Sequence, residues 1–390
     1  MSKPNHPSQI TNNRLLKVAT IMGTRPEIIR LSSTIKLLDK HLQQIIIHTG
    51  QNYDYELNEI FFKDLDLRKP DYFLGVDTSS LGRVLGETLI KSEEVLLKEK
   101  PDAVLILGDT NSSIAGIIAK RLRIPIFHME AGNRSFDMNV PEEINRRIID
   151  HIADFNLVYT EHARRHLLSE GLQHRRIYLT GSPMYEVLHD NTDKIKSSKI
   201  LDNLSLTAKN YFIVSVHREE NVDNSKHLKQ ILTVLNNLAE EYDVPVVIST
   251  HPRTRKRLED KNQSLITNQK LQFLKPFGFF DYVNLQMNAL CAISDSGTIS
   301  EESTILSFPA ISLRQSMERP EAQDAGSIIL TGFEPDIVLS SIKTVIAEHK
   351  LPIINHQSPV EYKIKNTSWR VLKLILGNTK LSNNWWGINS

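Results

Sequence analysis

Short apolar runs alternate along this chain with longer stretches in which apolar residues recur every three or four positions. Twelve such runs predict strands, six in each half of the chain. They are KVATIM, QIIIHTG, AVLILGD, IPIFHME, NLVYT and IYLTG, then YFIVSVH, VPVVIST, LQFLKP, CAISDSG, PAISLR and SIILTG. Runs this apolar are typical of parallel strands buried on both faces, with helices between them. The pattern predicts two doubly wound α/β domains, with ligands bound beyond the carboxyl ends of the strands.

The weakest core signal lies at residues 190–209, DNTDKIKSSKILDNLSLTAK, which we interpret as a linker with some helix. We therefore expect an amino-terminal domain over residues 14–185 and a carboxyl-terminal domain over residues 186–364. The segment from about 365 to 390 has a helical pattern and carries Trp369, Trp385 and Trp386. This aromatic content predicts that the segment docks on the amino-terminal domain.

Composition fits a soluble two-domain protein. The 390 residues include 24% charged residues and have a formal net charge of +1, which does not favour nucleic acid or an anionic membrane as the main partner. No apolar run approaches the roughly 18 residues of a membrane span, and the polar start MSKPNHPSQITNN lacks the apolar core of a signal peptide. We therefore expect a cytoplasmic protein. The one cysteine, Cys291, is predicted to pack in a core.

Acidic residues end two of the predicted strands in the first half. Asp109 ends AVLILGD, and Glu130 ends IPIFHME, where it stands in an apolar setting. Taken alone, Asp109 could equally cap the next helix. Because the carboxyl ends of parallel strands meet at one edge of a sheet, we expect both side chains at the ligand-binding edge. Carboxyl groups at such an edge are suited to proton transfer.

A helix is predicted from Pro141 onward, because isoleucine recurs every four residues at Ile144, Ile148 and Ile152. Glu142 and Glu143 lie in its first turn, where the helix dipole favours anions by roughly 0.3–1 kcal/mol. Capping accounts for one of these two glutamates. It does not account for the convergence of Glu142 with the two strand-end acids, so we interpret the three acids as parts of one site.

The segment MGTRPEIIR follows the first predicted strand directly. Gly23 permits close backbone approach, and Pro26 suits the first helical turn, which leaves free N–H groups facing outward. Arg25 and Arg30 add positive charge at this anion-favouring end. The alternative is a tight turn with surface arginines. The segment is neither a Walker loop nor a Rossmann fingerprint, since G-x-x-x-x-G-K-[ST] and G-x-G-x-x-G do not occur.

Two segments of the second half place a histidine and an arginine just after a strand. SVHREEN contains His217 and Arg218, and STHPRTRKR contains His251 and Arg253. A lone histidine is more often structural, but a histidine–arginine pair at this edge could neutralise a phosphate.

The segment SDSGTISEES is the strongest local signal in the second half. Thr298-x-x-Glu301 fits a capping box, so a helix is predicted to start there. Ser296 and Gly297 precede it and offer a hydroxyl and unobstructed N–H groups to a pyrophosphate. Acids in the first domain and anion-binding groups in the second suit a nucleotide-activated substrate, with the nucleotide held in one domain and the reacting group facing carboxylates in the other.

These motifs, in this order, resemble the non-hydrolysing UDP-N-acetylglucosamine 2-epimerase family. The matching segments are GTRPEIIR, HTGQNYD, GDTNS, HMEAGNRSFD, PEEINRR, HREEN, SDSGTISEES and ERPEA, which span about residues 23–322. The resemblance implies the GT-B architecture, in which two Rossmann-like domains surround a deep cleft. It also implies a UDP-sugar substrate and no metal or nicotinamide cofactor. We expect a homodimer.

The resemblance further implies a reaction that breaks the anomeric C–O bond with loss of the C2 proton, giving UDP and an enzyme-bound 2-acetamidoglycal. Re-addition then protonates the other face of C2. Carried over by motif, Asp109, Glu130 and Glu142 are the acid/base residues, and His217 assists the departing diphosphate. Glu302 would contact the ribose hydroxyls. The residues implied to bind the UDP-sugar are Arg25, Arg30, His251, Ser296, Gly297, Glu302 and Arg319.

Several departures from the pattern of the GlcNAc enzymes favour one branch of this family. GQNYDYE stands where those enzymes usually have Gly-Gln-His, HREEN places Glu219 where an arginine is expected, and Thr298 replaces a common second glycine. With NEIFFKDL, KPDYFL and LSNNWWGI, these departures resemble the branch that makes UDP-N-acetyl-L-fucosamine from UDP-2-acetamido-2,6-dideoxy-L-talose, for capsule or O-antigen synthesis. Conversion of UDP-N-acetylglucosamine to UDP-N-acetylmannosamine is the alternative.

Two other functional classes stay open. GT-B glycosyltransferases use the same cleft to pass a sugar to an acceptor. A catalytically silent nucleotide-sugar binder could instead regulate a partner protein, although the presence of all three candidate acids argues against silence.

Overall fold

Thirteen strands form two sheets in the part of the chain that this computed structural model describes, which is residues 15–51, 61–261, 266, 268–317, 319–349 and 358–388. All twelve predicted strands are confirmed, and β3 is an additional strand of two residues, too short to give a pattern. The first sheet contains β1 (Lys17–Met22), β2 (Gln43–His48), β3 (Tyr72–Phe73), β4 (Ala103–Leu107), β5 (Ile126–Ala131), β6 (Phe155–Val158) and β7 (Ile177–Leu179). The second contains β8 (Phe212–Ser215), β9 (Val246–Ser249), β10 (Leu271–Leu274), β11 (Cys291–Ser294), β12 (Ala310–Ser312) and β13 (Ile329–Leu330).

Both sheets have the same winding. The strand orders are β3-β2-β1-β4-β5-β6-β7 and β10-β9-β8-β11-β12-β13. The chain order reverses at β1, which pairs in parallel with β2 and β4, and at β8, which pairs in parallel with β9 and β11. This confirms the predicted fold class, α/β with two Rossmann-like doubly wound sheets, as in the GT-B architecture. Ligands of such sheets bind where the order reverses, beyond the carboxyl ends of the strands.

The connections between strands are mostly helical. The helices whose limits the structure defines are α1 (Arg25–His41), α2 (Leu81–Glu99), α3 (Ala115–Arg121), α4 (Glu142–Ile152), α5 (Glu161–Ser169), α6 (Met184–Asp190), α7 (Thr192–Lys196), α8 (Ile200–Asn203), α9 (Glu219–Val222), α10 (Ser225–Tyr242), α11 (Pro252–Lys261), α12 (Phe279–Asn288), α13 (Ile299–Leu306), α14 (Glu321–Asp324), α15 (Pro335–His349) and α16 (Thr367–Trp385). None of these helices is both long and apolar enough to cross a membrane.

The chain divides into two compact units. The first contains the residues up to Met129, residues 151–155 and the residues from Ser368 onward. The second contains residues 130–150 and 156–367. The domain limits that the sequence suggests, 14–185 and 186–364, remain a prediction.

The core of the second unit includes two features that the sequence analysis singled out. Cys291 is fully buried in β11, and burial raises the pKa of its thiol to about 12, so its predicted core position is confirmed. The stretch at residues 190–209 contains α7 and α8, whose Ile195 and Ile200 are buried. Asn284 of α12 donates a hydrogen bond to the carbonyl of Ile195 at 2.8 Å, so this stretch is a packed part of the unit.

The tryptophan-rich segment at the end of the chain is docked in the first unit. Trp385 packs edge-on against Phe155, with ring centres 6.0 Å apart, and the indole N–H of Trp386 donates to Asp154. The ammonium of Lys120 lies 4.7 Å from the centre of the Trp386 ring. These contacts secure α16 through aromatic packing and a cation–π interaction.

Candidate active site

Glu27 connects the two loops at the reversal point of the first sheet. It lies in the first turn of α1 and is 1% exposed. Its Oε2 accepts hydrogen bonds from the backbone N–H of Gly23 (2.9 Å) and Thr24 (2.7 Å) and from the Thr24 hydroxyl (2.8 Å). Its Oε1 accepts from the hydroxyls of Thr110 (3.0 Å) and Ser112 (2.6 Å), which follow β4. Burial raises the pKa of Glu27, although the hydrogen bonds oppose the rise.

The candidate acid Asp109 lies in the loop that Glu27 holds. It follows Gly108, which has a left-handed φ of 73°, and is half-buried. The next residue, Thr110, is the one that donates to Glu27. Glu27 therefore fixes the backbone on the carboxyl side of Asp109.

Gly23, Arg25 and Arg30 lie where the sequence places them, around the start of α1. A Cβ on Gly23 would lie 2.1 Å from the hydroxyl oxygen of Thr49, so only glycine fits this approach between the loop after β1 and the end of β2. The Arg25 guanidinium lies 5.4 Å from the centre of the Phe61 ring, within cation–π distance. Arg25 and Arg30 are both half-buried.

Glu130 has a left-handed backbone near the end of β5, in the second unit. Its φ is 64°, a conformation that costs roughly 1–2 kcal/mol for a residue with a side chain. Its Oε1 accepts a hydrogen bond from Nη2 of Arg319 at 2.6 Å and a longer one from Nδ2 of Asn133 at 3.3 Å. The strain is therefore combined with an ion pair that fixes the carboxylate.

Arg319 lies between two carboxylates. Its Nη2 donates to Glu130, its Nη1 donates to Glu301, and its guanidinium lies 6.0 Å from the centre of the Tyr159 ring. The residue is 4% exposed. Burial lowers the pKa of Arg319, but the charges of Glu301 and Glu130 outweigh burial and hold the pKa well above its usual value.

This contact joins the two groups of residues that the sequence analysis singled out. The sequence suggested acids in the first domain and anion-binding groups in the second. Glu130 and Arg319, one from each group, are in direct contact. A phosphate that binds Arg319 would therefore meet an existing carboxylate partner.

The predicted helix is confirmed as α4, but it buries a largely polar face, and two of the three isoleucines that predicted it are exposed. Ile144 is 49% exposed and Ile148 is 37% exposed. The helix also begins at Glu142, one residue after the predicted start at Pro141. The side chains that α4 buries are Glu143, Arg146, Ile149 and Asp150.

Glu143 is the acid that anchors α4. It is fully buried and accepts hydrogen bonds from the backbone N–H and the hydroxyl of Ser135, both at 3.0 Å. Arg146 (3.0 Å) and Arg147 (2.8 Å) also donate to it. Burial raises the pKa of Glu143, but the Ser135 N–H and the arginine charges outweigh burial and leave the pKa below its usual value. Its neighbour Glu142 is exposed.

A second buried ion pair holds the backbone just after Glu130. Asp150 accepts from the backbone N–H of Gly132 at 3.1 Å and from Nη1 of Arg134 at 2.7 Å. Arg134 also donates two hydrogen bonds to Glu170, at 2.6 and 2.7 Å. The loop between β5 and α4 is therefore fixed by charged groups from both α4 and α5.

Asp295 connects the loops at the reversal point of the second sheet. It is fully buried and follows β11. Its Oδ2 accepts from the backbone N–H of His217 (3.0 Å) and Arg218 (2.9 Å) and from Nδ2 of Asn221 (2.8 Å). Its backbone carbonyl accepts from Nε of Arg218 at 2.9 Å. A buried carboxylate thus holds the segment HREEN against the segment SDSG.

The segment SDSGTISEES starts a helix without the predicted capping box. Thr298 is the N-cap of α13, but its backbone is helical and its side chain makes no capping hydrogen bond. Its hydroxyl lies 2.9 Å from the hydroxyl oxygen of Ser296, and the carboxylate of Glu301 pairs with Arg319. The capping-box prediction is therefore wrong, because the neighbouring Ser296 hydroxyl takes the Thr298 side chain and Arg319 takes that of Glu301.

The remaining predicted binding residues also lie in the second unit. Gly297 is half-buried in the loop before α13, and Glu302 accepts a hydrogen bond from Nε2 of Gln286 at 2.8 Å. The exposed ring of His251 lies with its centre 6.1 Å from that of His217. The side chains of Glu219 and Arg253, and residues 52–53 of the segment GQNYDYE, lie outside the described residues.

Sequence reasoning missed the buried carboxylates that hold these loops. Glu27 could have been found, because Thr24-x-x-Glu27 has capping-box spacing and the structure contains that box. Asp295 and Glu143 give no such signal, since their partners are distant in the chain or lie on a helix face that looks solvent-exposed. Glu301 has the same capping-box spacing, but its carboxylate pairs with Arg319 instead. Among the described residues, no group of three or more His, Cys, Asp or Glu side chains could hold a metal ion.

Comparison with known proteins gives consistent matches over most of the chain. A family model described as UDP-N-acetylglucosamine 2-epimerase matches residues 36–376. The UDP-N-acetylglucosamine 2-epimerase of Methanocaldococcus jannaschii is 39% identical over 85% of this chain and 92% of that protein. A Pseudomonas aeruginosa relative, a UDP-2,3-diacetamido-2,3-dideoxy-D-glucuronate 2-epimerase, is 34% identical over 85% of this chain and 93% of that protein.

Solved structures give the same result. The UDP-N-acetylglucosamine 2-epimerase from Rickettsia bellii superimposes with a TM-score of 0.89 and 49% identity, covering 95% of this chain and all of that chain. The M. jannaschii UDP-GlcNAc 2-epimerase in complex with UDP-GlcNAc and UDP superimposes with a TM-score of 0.85 and 35% identity, covering 93% of this chain and 99% of that chain.

Proposed function

The chain belongs to the UDP-N-acetylglucosamine 2-epimerase family of isomerases, and we propose that it inverts C2 of a UDP-N-acetylhexosamine. The observation that carries this proposal is the contact between Arg319 and Glu130. A buried arginine suited to a phosphate and a carboxylate suited to proton transfer meet at one point. An enzyme that expels a diphosphate while it removes a neighbouring proton needs this combination.

The proposed reaction has two stages that mirror each other. A carboxylate removes the proton from C2, the electrons of that C–H bond form the C1=C2 double bond, and the C1–O bond breaks with its electron pair leaving on the β-phosphate of UDP. The reverse stage delivers a proton to the opposite face of C2 and returns the UDP oxygen to C1. Because protons leave one face and arrive on the other, at least two acid/base groups are required.

We assign the acid/base work to Asp109, Glu130 and Glu142. His217 would stabilise the charge that develops on the leaving diphosphate, because it stands beside the loop before α13. The residues proposed to bind the UDP-sugar are Arg25, Arg30, His251, Ser296, Gly297, Glu302 and Arg319. No metal or nicotinamide cofactor takes part in this proposal.

The substrate that we propose is UDP-2-acetamido-2,6-dideoxy-L-talose, which gives UDP-N-acetyl-L-fucosamine for capsule or O-antigen synthesis. The support is the segment GQNYDYE and the acid Glu219, which depart from the pattern of the GlcNAc enzymes. UDP-N-acetylglucosamine is the second candidate, and the names of the M. jannaschii and R. bellii relatives favour it. The relative from P. aeruginosa is named for a third UDP-hexosamine, so the choice of sugar differs among proteins this similar.

The test is to incubate the pure protein with each UDP-sugar in heavy water, without an acceptor, and to follow C2 by NMR. An epimerase incorporates deuterium at C2, whereas a glycosyltransferase or a silent binder does not. The ratio of kcat/KM for the two UDP-sugars then identifies the substrate. The methyl-for-hydroxymethyl difference alone is worth about 1–3 kcal/mol, and the two sugars also differ in ring configuration, so a preference of at least roughly 10-fold is expected. Faster turnover of UDP-N-acetylglucosamine would contradict the substrate proposal, and loss of activity in EDTA would contradict metal independence.

We also propose that the protein is a cytoplasmic homodimer. Its mass in solution would then be twice the 44.5 kDa of one chain. Light scattering after size exclusion tests the oligomeric state directly.

A further inference from the structure

The hydrogen bonds of Asp295 are unevenly divided between its two oxygens. Oδ2 accepts from three donors, namely the backbone N–H groups of His217 and Arg218 and the amide of Asn221. Oδ1 accepts no hydrogen bond from any described residue, although Asp295 is fully buried. The ring nitrogen Nδ1 of His217 lies 3.2 Å from Oδ1.

A buried carboxylate oxygen without a donor is destabilising. The His217 side chain is 43% exposed, so part of its ring faces solvent and has room to turn. The side-chain dihedral angle χ2 of a histidine also has a broad energy minimum. A small rotation brings an Nδ1–H group into line with Oδ1 and satisfies it. An ionised carboxylate can only accept, so this hydrogen bond requires the ring proton to be on Nδ1.

We propose that Asp295 is a positioning residue that accepts a hydrogen bond from Nδ1–H of the His217 imidazole, so that Nε2 faces the diphosphate and donates to it when the ring is doubly protonated. This inference rests on the proposed function. Asp295 forms and breaks no bond in the reaction. It fixes which nitrogen of His217 faces the leaving group, in the way that a second polar group commonly sets the tautomer of a functional histidine.

Asp295→Asn tests this arrangement with almost no change in shape. Three donors surround the Oδ2 position, so the single oxygen of an asparagine should face them. The asparagine NH₂ group then faces Nδ1 of His217, and because it can only donate, Nδ1 must accept and the ring proton moves to Nε2. The substitution therefore reverses the tautomer instead of only weakening a contact.

The direct measurement is ¹⁵N NMR of the full-length protein labelled in its histidines, at about pH 9, where an ordinary imidazole carries a single ring proton. The His217 signals are identified by their loss in His217→Asn. We expect Nδ1 to be protonated in the wild type and Nε2 to be protonated in Asp295→Asn. A wild-type ring protonated on Nε2, or a tautomer that Asp295→Asn does not change, would overturn the proposal.

Asn221→Ser is the matched control. It removes one of the three donors to Oδ2 at 2.8 Å and leaves the Oδ1 side intact. If Asp295 only held the loop together, Asn221→Ser and Asp295→Asn would have similar effects. We expect Asn221→Ser to keep the proton on Nδ1.

Kinetics give a second readout. Asp295→Asn should lower kcat by roughly 10²-fold, the lower value typical of a positioned proton-transfer group, with little change in KM. In a His217→Asn background, the same substitution should lower kcat less than about twofold, because the histidine it acts through is gone. An equal further loss in that background would mean that Asp295 does not act through His217.

The two proposals fail separately. If Asp295→Asn reverses the tautomer but no UDP-hexosamine exchanges its C2 proton, the proposed function is wrong and the pairing stands. If C2 exchange occurs and the tautomer does not respond to Asp295→Asn, the pairing is wrong and the function stands.

Discussion

Nη2 of Arg319 lies 2.6 Å from Oε1 of Glu130, so the cation proposed to bind the diphosphate is paired with an acid proposed to transfer a proton. One N–H group cannot donate fully to both a carboxylate and a phosphate. A diphosphate that takes this donor weakens the hold on Glu130 and leaves its carboxylate more basic at the moment substrate arrives. The two proposed roles, substrate binding and proton transfer, would therefore be coupled through one side chain.

Glu130→Gln should separate the two roles. Turnover should fall by roughly 10²–10⁴-fold, because the proton-transfer group is lost. UDP should bind about tenfold more tightly, because the carboxylate no longer competes for Arg319. Calorimetry with UDP measures the second effect. Glu142→Gln is the control, since Glu142 is exposed and we expect it to lower turnover without tightening UDP; weaker binding in Glu130→Gln would contradict the coupling.

Arg319→Ala should destabilise the fold by about 3–5 kcal/mol, because it leaves Glu130 and Glu301 without the positive charge between them. Urea denaturation measures the loss. The exposed pair of Arg83 with Asp77 provides the comparison, since Arg83→Ala should change the free energy of unfolding by less than about 1 kcal/mol. Similar losses of unfolding free energy in the two variants would show that the buried pairs of Arg319 contribute no more to stability than an exposed ion pair.

Glu142 and Glu143 are adjacent in sequence, but their substitution by glutamine should have opposite effects on stability and turnover. Glu142 is exposed, so Glu142→Gln should change stability by no more than about 0.5 kcal/mol while it lowers turnover. Glu143 is buried against two arginines and Ser135, so Glu143→Gln should cost about 3–5 kcal/mol of stability. Thermal unfolding and C2 exchange on the same samples distinguish them. If Glu143→Gln were stable but inactive, the catalytic role would belong to Glu143 and this prediction would be wrong.

Glu27 should make stability depend on pH. Its pKa is raised in the folded protein above the ordinary 4.5, so its contribution is complete below that pH and is lost as pH rises through the folded value. Glu27→Gln cannot ionise, and its NH₂ group can donate to the hydroxyls of Thr110 and Ser112. We expect the wild type to lose stability relative to Glu27→Gln as the pH rises above about 4.5. Parallel urea titrations with no relative change would contradict this.

Ser296→Ala tests the loop before α13 as a diphosphate site. The Ser296 hydroxyl accepts from the backbone N–H of Thr298 at 3.3 Å and lies 2.9 Å from the Thr298 hydroxyl, so the alanine variant loses two internal hydrogen bonds. If the hydroxyl also contacts a charged phosphate oxygen, UDP affinity should fall by about 1.5–3 kcal/mol. Thr298→Val is the control, because it removes the neighbouring hydroxyl; equal effects of the two variants on UDP affinity would mean that neither hydroxyl is specific.

The sequence predicts the strands well because their signal is local. A run of four to six apolar residues is buried on both faces when it forms a strand between two helical layers, and all twelve runs form strands. The face of α4 could not be predicted, because Glu143 and Arg146 are buried through partners that periodicity does not show. Thr298 shows the same limit at a helix start, where a neighbouring hydroxyl replaces the expected cap. The candidate site residues could be named from their motifs, whereas most of the carboxylates that hold their loops could be recognised only from the fold.

The left-handed backbone at Glu130 has a consequence for how this protein could be stabilised. Asparagine and glycine tolerate a φ of 64° far better than glutamate, but either of them would remove the buried ion pair with Arg319, and the loss of that pair costs more than the backbone strain. A laboratory selection for heat resistance alone should therefore retain glutamate at this position despite its strained backbone, and an engineering campaign should look for its gains elsewhere.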